Sequence, residues 1–156
     1  YGYSGYGEIS VFVFFGLVAT VGSAYVQAES IEWASIICAV PVGLLATALL
    51  VVNNFRDIGT DSKTGKRTLA VRLGKSGTQK LYAFLLLGAA GTYVLIAFLY
   101  TLLALIALAT LPLSAKLIRE VCSKTNSADL IRVLENTAKL HLGAGLLLTI
   151  GLAVGL

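Results

Sequence analysis

The chain has 156 residues, a net charge of +4, 57% hydrophobic and 13% charged residues, and a mean hydropathy of +0.86. This composition argues against a water-soluble domain and for an integral membrane protein. Nucleic acid is not an expected partner, because the cations adjoin membrane-length apolar segments and form no basic face interleaved with stacking aromatics.

The chain opens on the Gly/Tyr stretch "YGYSGYG", without the charged start of a signal peptide, and contains no methionine. It reads as part of a longer protein. A helix needs about 20 residues to cross a hydrocarbon core of about 30 Å. Residues 8–27 form a first span on this measure, and residues 33–53 a second. A charged connection, residues 54–80, follows. Residues 81–115 then carry no charge at all, too long a run for one crossing and slightly short for two.

Basic residues mark the cytoplasmic side of short connections. Arg56, Lys63, Lys66, Arg67, Arg72, Lys75 and Lys80 fall in the first charged connection. Lys116, Arg119, Lys124, Arg132 and Lys139 fall in residues 116–139, and residues 28–32 contain no cation. If both basic connections face the cytoplasm, the run between them crosses twice, with spans at 81–97 and 101–115 and a turn near 98–101. A last span, 140–156, leads to the far side. The expectation is an all-α integral membrane domain of five transmembrane helices, 1–156, with the 54–80 and 116–139 loops cytoplasmic.

Gly16, Gly22, Gly43, Gly88, Gly91, Gly143, Gly145 and Gly151 suit close helix contacts, and Pro41 and Pro112 are expected to kink their spans. "NSADLIRVLENTAKLH", residues 126–141, reads as an interfacial helix before the last crossing. Ser127 is its expected N-cap, and Leu130, Val133, Leu134 and Ala138 its apolar face. Cys38 and Cys122 have neither metal-ligand spacing nor a disulfide framework around them.

Candidate chemistry concentrates in "NNFRDIGTDSKTGKRTLAVRLG", residues 53–74. Asn53, Asp57 and Asp61 are spaced i, i+4, i+8, which stacks them on one face if the helix persists past the membrane edge. Such a line of oxygens suits Mg2+, which takes one or two carboxylates, keeps some waters and completes its octahedron with phosphate oxygens. Lys63, Lys66 and Arg67 surround Gly65 and could grip a polyphosphate. The spacing leaves a second reading standing, a solvated loop whose acids offset neighbouring bases.

This stretch resembles the second aspartate-rich motif of the UbiA superfamily of intramembrane prenyltransferases, in the form N-x-x-R-D-x-x-x-D followed by GKRTLAVRLG. "GYGEISVFVFFGLVATVGSAYVQ" and "NTAKLHLGAGLLLTIGLAVGL" agree, so the similarity covers the whole chain. The resemblance implies a transferase that moves a polyprenyl chain from its diphosphate to an aromatic ring, here 1,4-dihydroxy-2-naphthoate of menaquinone and phylloquinone synthesis. It implies catalytic and metal roles for Asp57 and Asp61, a metal role for Asn53, and diphosphate binding by Arg56, Lys63, Lys66 and Arg67. It also implies a nine-helix bundle of which these five helices are the last. The first aspartate-rich motif of such enzymes is absent here, so a missing N-terminal half becomes an expected partner and the chain alone is expected to be inactive.

Other residues are read more plainly. Glu8 is expected as an interfacial carboxylate, with contact to the acceptor or a cradle cation as the alternative. Tyr1, Tyr3, Tyr6, Tyr25, Gln27 and Trp33 read as interfacial belt residues, and no catalysis is assigned to His141. The alternatives in function are a UbiA-type enzyme with another acceptor, such as homogentisate or a hydroxybenzoate, and a non-enzymatic membrane module. The latter would place ionisable groups at mid-membrane, whereas those here map near span ends.

Overall fold

In the computed structural model, residues 5–124 and 126–155 are described; Tyr1, Tyr3 and Leu156 lie outside them. Among the described residues the chain is helical, without strands, and has five helices long and apolar enough to cross a membrane. We number these α1 (Gly7–Ala28), α2 (Trp33–Lys63), α3 (Leu69–Leu99), α4 (Leu102–Ser123) and α5 (Ser127–Gly155). The uncharged run turns at Tyr100 and Thr101, between α3 and α4.

Helices α2 to α5 pack in sequence and close back through α5 on α2, while α1 lies against α2 alone among these contacts. Val51, Val52, Tyr82, Leu86, Ile96, Leu117, Val133 and Leu140 fill the centre, each at most 2% exposed. The outer surface carries Phe14, Phe15, Trp33, Phe84 and Phe98 in the open. Such residues suit a lipid solvent, in which apolar exposure is not penalised and only internally satisfied backbones can span.

Local sequence explains the departures from regular helix. Phe12–Val18 in α1 is π-helical, and Gly16 within it meets Gly43 of α2 so closely that a Cβ on Gly16 would lie 2.5 Å from the Gly43 Cα. Gly22, Gly91, Gly143 and Gly145, expected at contacts, have open space around them. Leu102–Thr110 in α4 is 3-10 helix, and Ala104 and Ala107, three residues apart, are its buried residues, as three residues per turn requires. Pro112 sits in the first turn of the α-helical part Leu111–Ser123, where its missing N–H is needed least, at the point where α4 changes from 3-10 to α winding. Pro41 is accommodated inside α2.

The connection expected at 54–80 is helical at both ends. α2 runs on through Lys63, Thr68 caps α3 by accepting from the Val71 N–H, and Gly74 breaks α3 with φ +66°. At the other connection Asn126, not Ser127, caps α5: its Oδ1 accepts from the Asp129 N–H at 3.0 Å. From there α5 runs without interruption to Gly155, so the interfacial helix and the final crossing are one element. Gln79 Nε2 donates to Val121 O at 3.0 Å and Cys122 O at 3.3 Å. This bond joins the start of α3 to the end of α4, placing both basic connections at one end of the bundle.

Candidate diphosphate and metal site

The site is built on the last three turns of α2. Because the helix is continuous from Trp33 to Lys63, Asn53, Asp57 and Asp61 occupy successive turns. The helix then ends on Thr64, and Gly65 takes φ +75°, a left-handed conformation that favours glycine. The Thr64 N–H makes the last intrahelical bond, to Thr60 O at 3.1 Å, and the Lys66 N–H then reaches back to Asp61 O at 3.0 Å, the 6→1 bond of a Schellman turn. That turn folds Lys66 back over the helix end. Its Nζ lies 3.3 Å from Asp61 Oδ1 and 3.2 Å from Oδ2.

One turn earlier, Arg56 holds Asp57 in a two-pronged grip, Nε to Oδ1 at 2.8 Å and an Nη to Oδ2 at 2.9 Å. Asp57 lies beyond the apolar part of α2. The hydrogen-bonded guanidinium, aided by the nearby Lys66 charge, holds its carboxyl below the usual value. Arg56, Asp57, Asp61 and Lys66 thus form an interleaved cluster of two acids and two bases. Lys63 and Arg67 are exposed at its margin. Asn53 is half-buried and faces a different neighbourhood. It ends an apolar groove of about 490 Å3 between α1, α2 and α5, whose other walls include Phe15, Leu49, Leu134 and His141. Leu49 and His141 also line a second groove of about 440 Å3 that continues beside Val42 and Thr149.

The donor set can be tested against the magnesium ion that such a motif implies. Asp61 Oδ2 is buried and receives no hydrogen bond, even with Lys66 Nζ in ion-pair range, so it retains an oxygen for a hard cation. Among the described residues no three His, Cys, Asp or Glu side chains converge. The residues therefore fit an ion that shares its shell with phosphate and water, not one enclosed by protein.

Two residues outside the expected set belong to this end of the bundle. Glu8, expected at the interface, is 5% exposed, and Asn54 is 6% exposed. Asn54 Nδ2 donates to Glu8 Oε1 at 2.9 Å, while Glu8 Oε2 is buried with no hydrogen bond. Asn54 was legible in principle. It shares the spacing of Val51 and Ile58, apolar positions of α2 that face inward.

The sequence model of the UbiA prenyltransferase family matches residues 1–143. The 1,4-dihydroxy-2-naphthoate octaprenyltransferase of Mycobacterium leprae is 44% identical over 137 residues, which is 88% of this chain and 46% of that protein. The enzyme of the same name from Escherichia coli is 40% identical over 154 residues, 97% of this chain and 50% of that protein. The Drosophila melanogaster UbiA prenyltransferase domain-containing protein 1 homolog is 28% identical over 145 residues, 93% of this chain and 40% of that protein. The chain spans about half the length of the curated relatives it matches.

Proposed function

The chain belongs to the UbiA prenyltransferase family, and from that premise we propose that it supplies the diphosphate-binding part of a magnesium-dependent enzyme that prenylates 1,4-dihydroxy-2-naphthoate. It is a multi-pass integral membrane protein. The proposal includes crossings at about 8–27, 33–53, 81–97, 101–115 and 140–156, with the 54–80 and 116–139 connections in the cytoplasm. The observation that carries it is the Arg56–Asp57 and Lys66–Asp61 cluster on α2, one turn beyond Asn53, which itself lines an apolar groove.

In this mechanism Arg56 and Lys66 neutralise the two acids while the site is free. When a polyprenyl diphosphate enters, both bases turn their N–H groups to its oxygens, and Asn53, Asp57 and Asp61 are left to hold magnesium. Magnesium, when bound, stabilises the charge that builds on the departing diphosphate. Arg67 and Lys63 provide outer positive charge. The groove between α2 and α5 takes the isoprenoid tail and keeps water from the allylic carbon while its bond to oxygen breaks, the aromatic carbon attacks, and the ring recovers its aromaticity by losing its carboxyl group as carbon dioxide and a proton.

The first aspartate-rich motif of the family lies outside these 156 residues, and two carboxylates with one amide suit a single ion. The chain by itself is therefore proposed to bind metal diphosphate without turnover. Co-expression with the N-terminal half of the Escherichia coli relative, followed by a magnesium-dependent prenylation assay on dihydroxynaphthoate, tests the reading. Product only when both halves are present supports it. Equal product with an Asp57→Ala, Asp61→Ala chain defeats it, and activity restricted to homogentisate or hydroxybenzoate replaces the acceptor.

A further inference from the structure

We infer that Glu8 is a positioning residue of this site, acting through Asn54 to fix where the end of α1 meets the motif helix; this rests on the metal-diphosphate reading above. The seam between α1 and α2 follows one stripe of α2. Gly43 touches Gly16 and Phe12, and Thr47 Oγ1 lies 3.5 Å from Glu8 O while donating to Gly43 O at 2.7 Å. Leu50 packs where Gly7 has no side chain, and Asn54 bonds to the Glu8 carboxylate at 2.9 Å. Residues 43, 47, 50 and 54 repeat at helical spacing, and the same stripe continues as Asp57 and Asp61. Glu8 thus sits where the helix-covered part of the stripe gives way to the acid line.

The chain before Glu8 extends the argument. Gly5 has φ +75°, and a Cβ there would lie 3.0 Å from Arg67 O and 3.1 Å from Arg72 Nε. The segment from Gly5 to Glu8 therefore straps the basic turn after α2 to α2 itself, and the Glu8–Asn54 bond anchors its lower end. A buried hydrogen bond to a carboxylate is worth more than a neutral one, and losing one partner leaves the other unsatisfied. With the anchor gone, the strap no longer holds Arg67 and Arg72 in register with Asp57 and Asp61. Glu8 touches neither metal nor diphosphate in this scheme. The bond matters, whichever residue carries the charge.

The test uses the full chain in detergent micelles, with Mn2+ binding followed by electron paramagnetic resonance in the presence of inorganic pyrophosphate, and helicity recorded for every variant. Glu8→Ala and Asn54→Ala should each weaken Mn2+–pyrophosphate binding by about tenfold, the double variant should be no weaker than either, and the exchanged pair Glu8→Gln with Asn54→Asp should recover to within about threefold. The exchanged pair keeps both side-chain volumes close to native, so it remains informative if an alanine variant fails to fold. Wild-type affinity in Glu8→Ala, multiplicative losses in the double variant, or a helical exchanged pair as weak as the alanine forms each overturns the role of Glu8. Failure of the wild-type chain to bind Mn2+–pyrophosphate instead removes the metal site itself, and Glu8's role with it.

Discussion

The Tyr82 hydroxyl and Thr137 Oγ1 lie 2.8 Å apart, both fully buried, and connect α3 to α5 across the middle of the bundle. Thr137 spends its own proton on Val133 O at 2.7 Å, so Tyr82 is the donor. The two partners are therefore unequal. Tyr82→Phe removes a donor and leaves Thr137 satisfied, at about 0.5–1 kcal/mol; Thr137→Val strands a buried hydroxyl, at about 1–3 kcal/mol. Unfolding in mixed micelles should rank them in that order, and the reverse ranking would exchange donor and acceptor.

Gly65 links helix termination to charge placement. An alanine at its left-handed φ costs about 1–2 kcal/mol and loosens the turn that brings Lys66 to Asp61. Gly65→Ala should therefore lower pyrophosphate affinity more than Gly59→Ala, since Gly59 lies inside α2 with open space around it. Isothermal titration with pyrophosphate and magnesium measures the difference.

The bases of the site should be graded by how they are held. Arg56→Lys gives up the two-pronged geometry, because an ammonium cannot reproduce the fork. Lys66→Ala removes the base that lies on Asp61. Both should reduce prenyl transfer in the reconstituted enzyme by about tenfold or more, the cost of a lost charge-assisted bond. Lys63→Ala, at an exposed position, should cost about threefold or less. Steady-state rates at saturating acceptor decide it.

At the α1–α2 seam, Gly16→Ala should destabilise by about 1–3 kcal/mol, because the added carbon meets backbone and not a flexible side chain. Gly22→Ala has open space and a helical backbone, so it should be neutral or stabilising by up to about 1 kcal/mol. Thermal melts by circular dichroism compare the two.

Sidedness can be read from the native cysteines. Both are free; Cys122 is exposed near the end of α4, and Cys38 is half-buried within α2. A membrane-impermeant maleimide should label Cys122 in inside-out vesicles and not in intact cells. Labelling only from outside would put the basic end of the bundle on the wrong side for the proposed topology.

The helices were legible because their signals are long. Twenty-residue apolar runs and the segregation of the cations required five helices and a turn near Thr101. The i, i+4, i+8 spacing of Asn53, Asp57 and Asp61 could be read because one continuous helix carries all three. What sequence reading missed depends on pairing between elements. Glu8 looks interfacial when α1 is considered alone; it is buried where α1 packs on α2, and Asn54 of α2 donates to its carboxylate there. The open surroundings of Gly22 and Gly145 likewise follow from which helix face finds a neighbour, a matter of rotation that composition does not encode. Asn126 and Ser127 are both capping residue types, so residue type alone does not choose between them, and the fold uses Asn126.

The 3-10 stretch Leu102–Thr110 resolves a shortage of chain. Wound tightly, each residue advances about 2.0 Å against about 1.5 Å in an α-helix. Residues 102–115 thereby reach about 25 Å where an α-helix of equal length would reach about 21 Å. In the proposed topology, a segment too brief to traverse the oily layer in the usual winding is drawn out toward its full depth, so that thirty-five uncharged residues serve two passes.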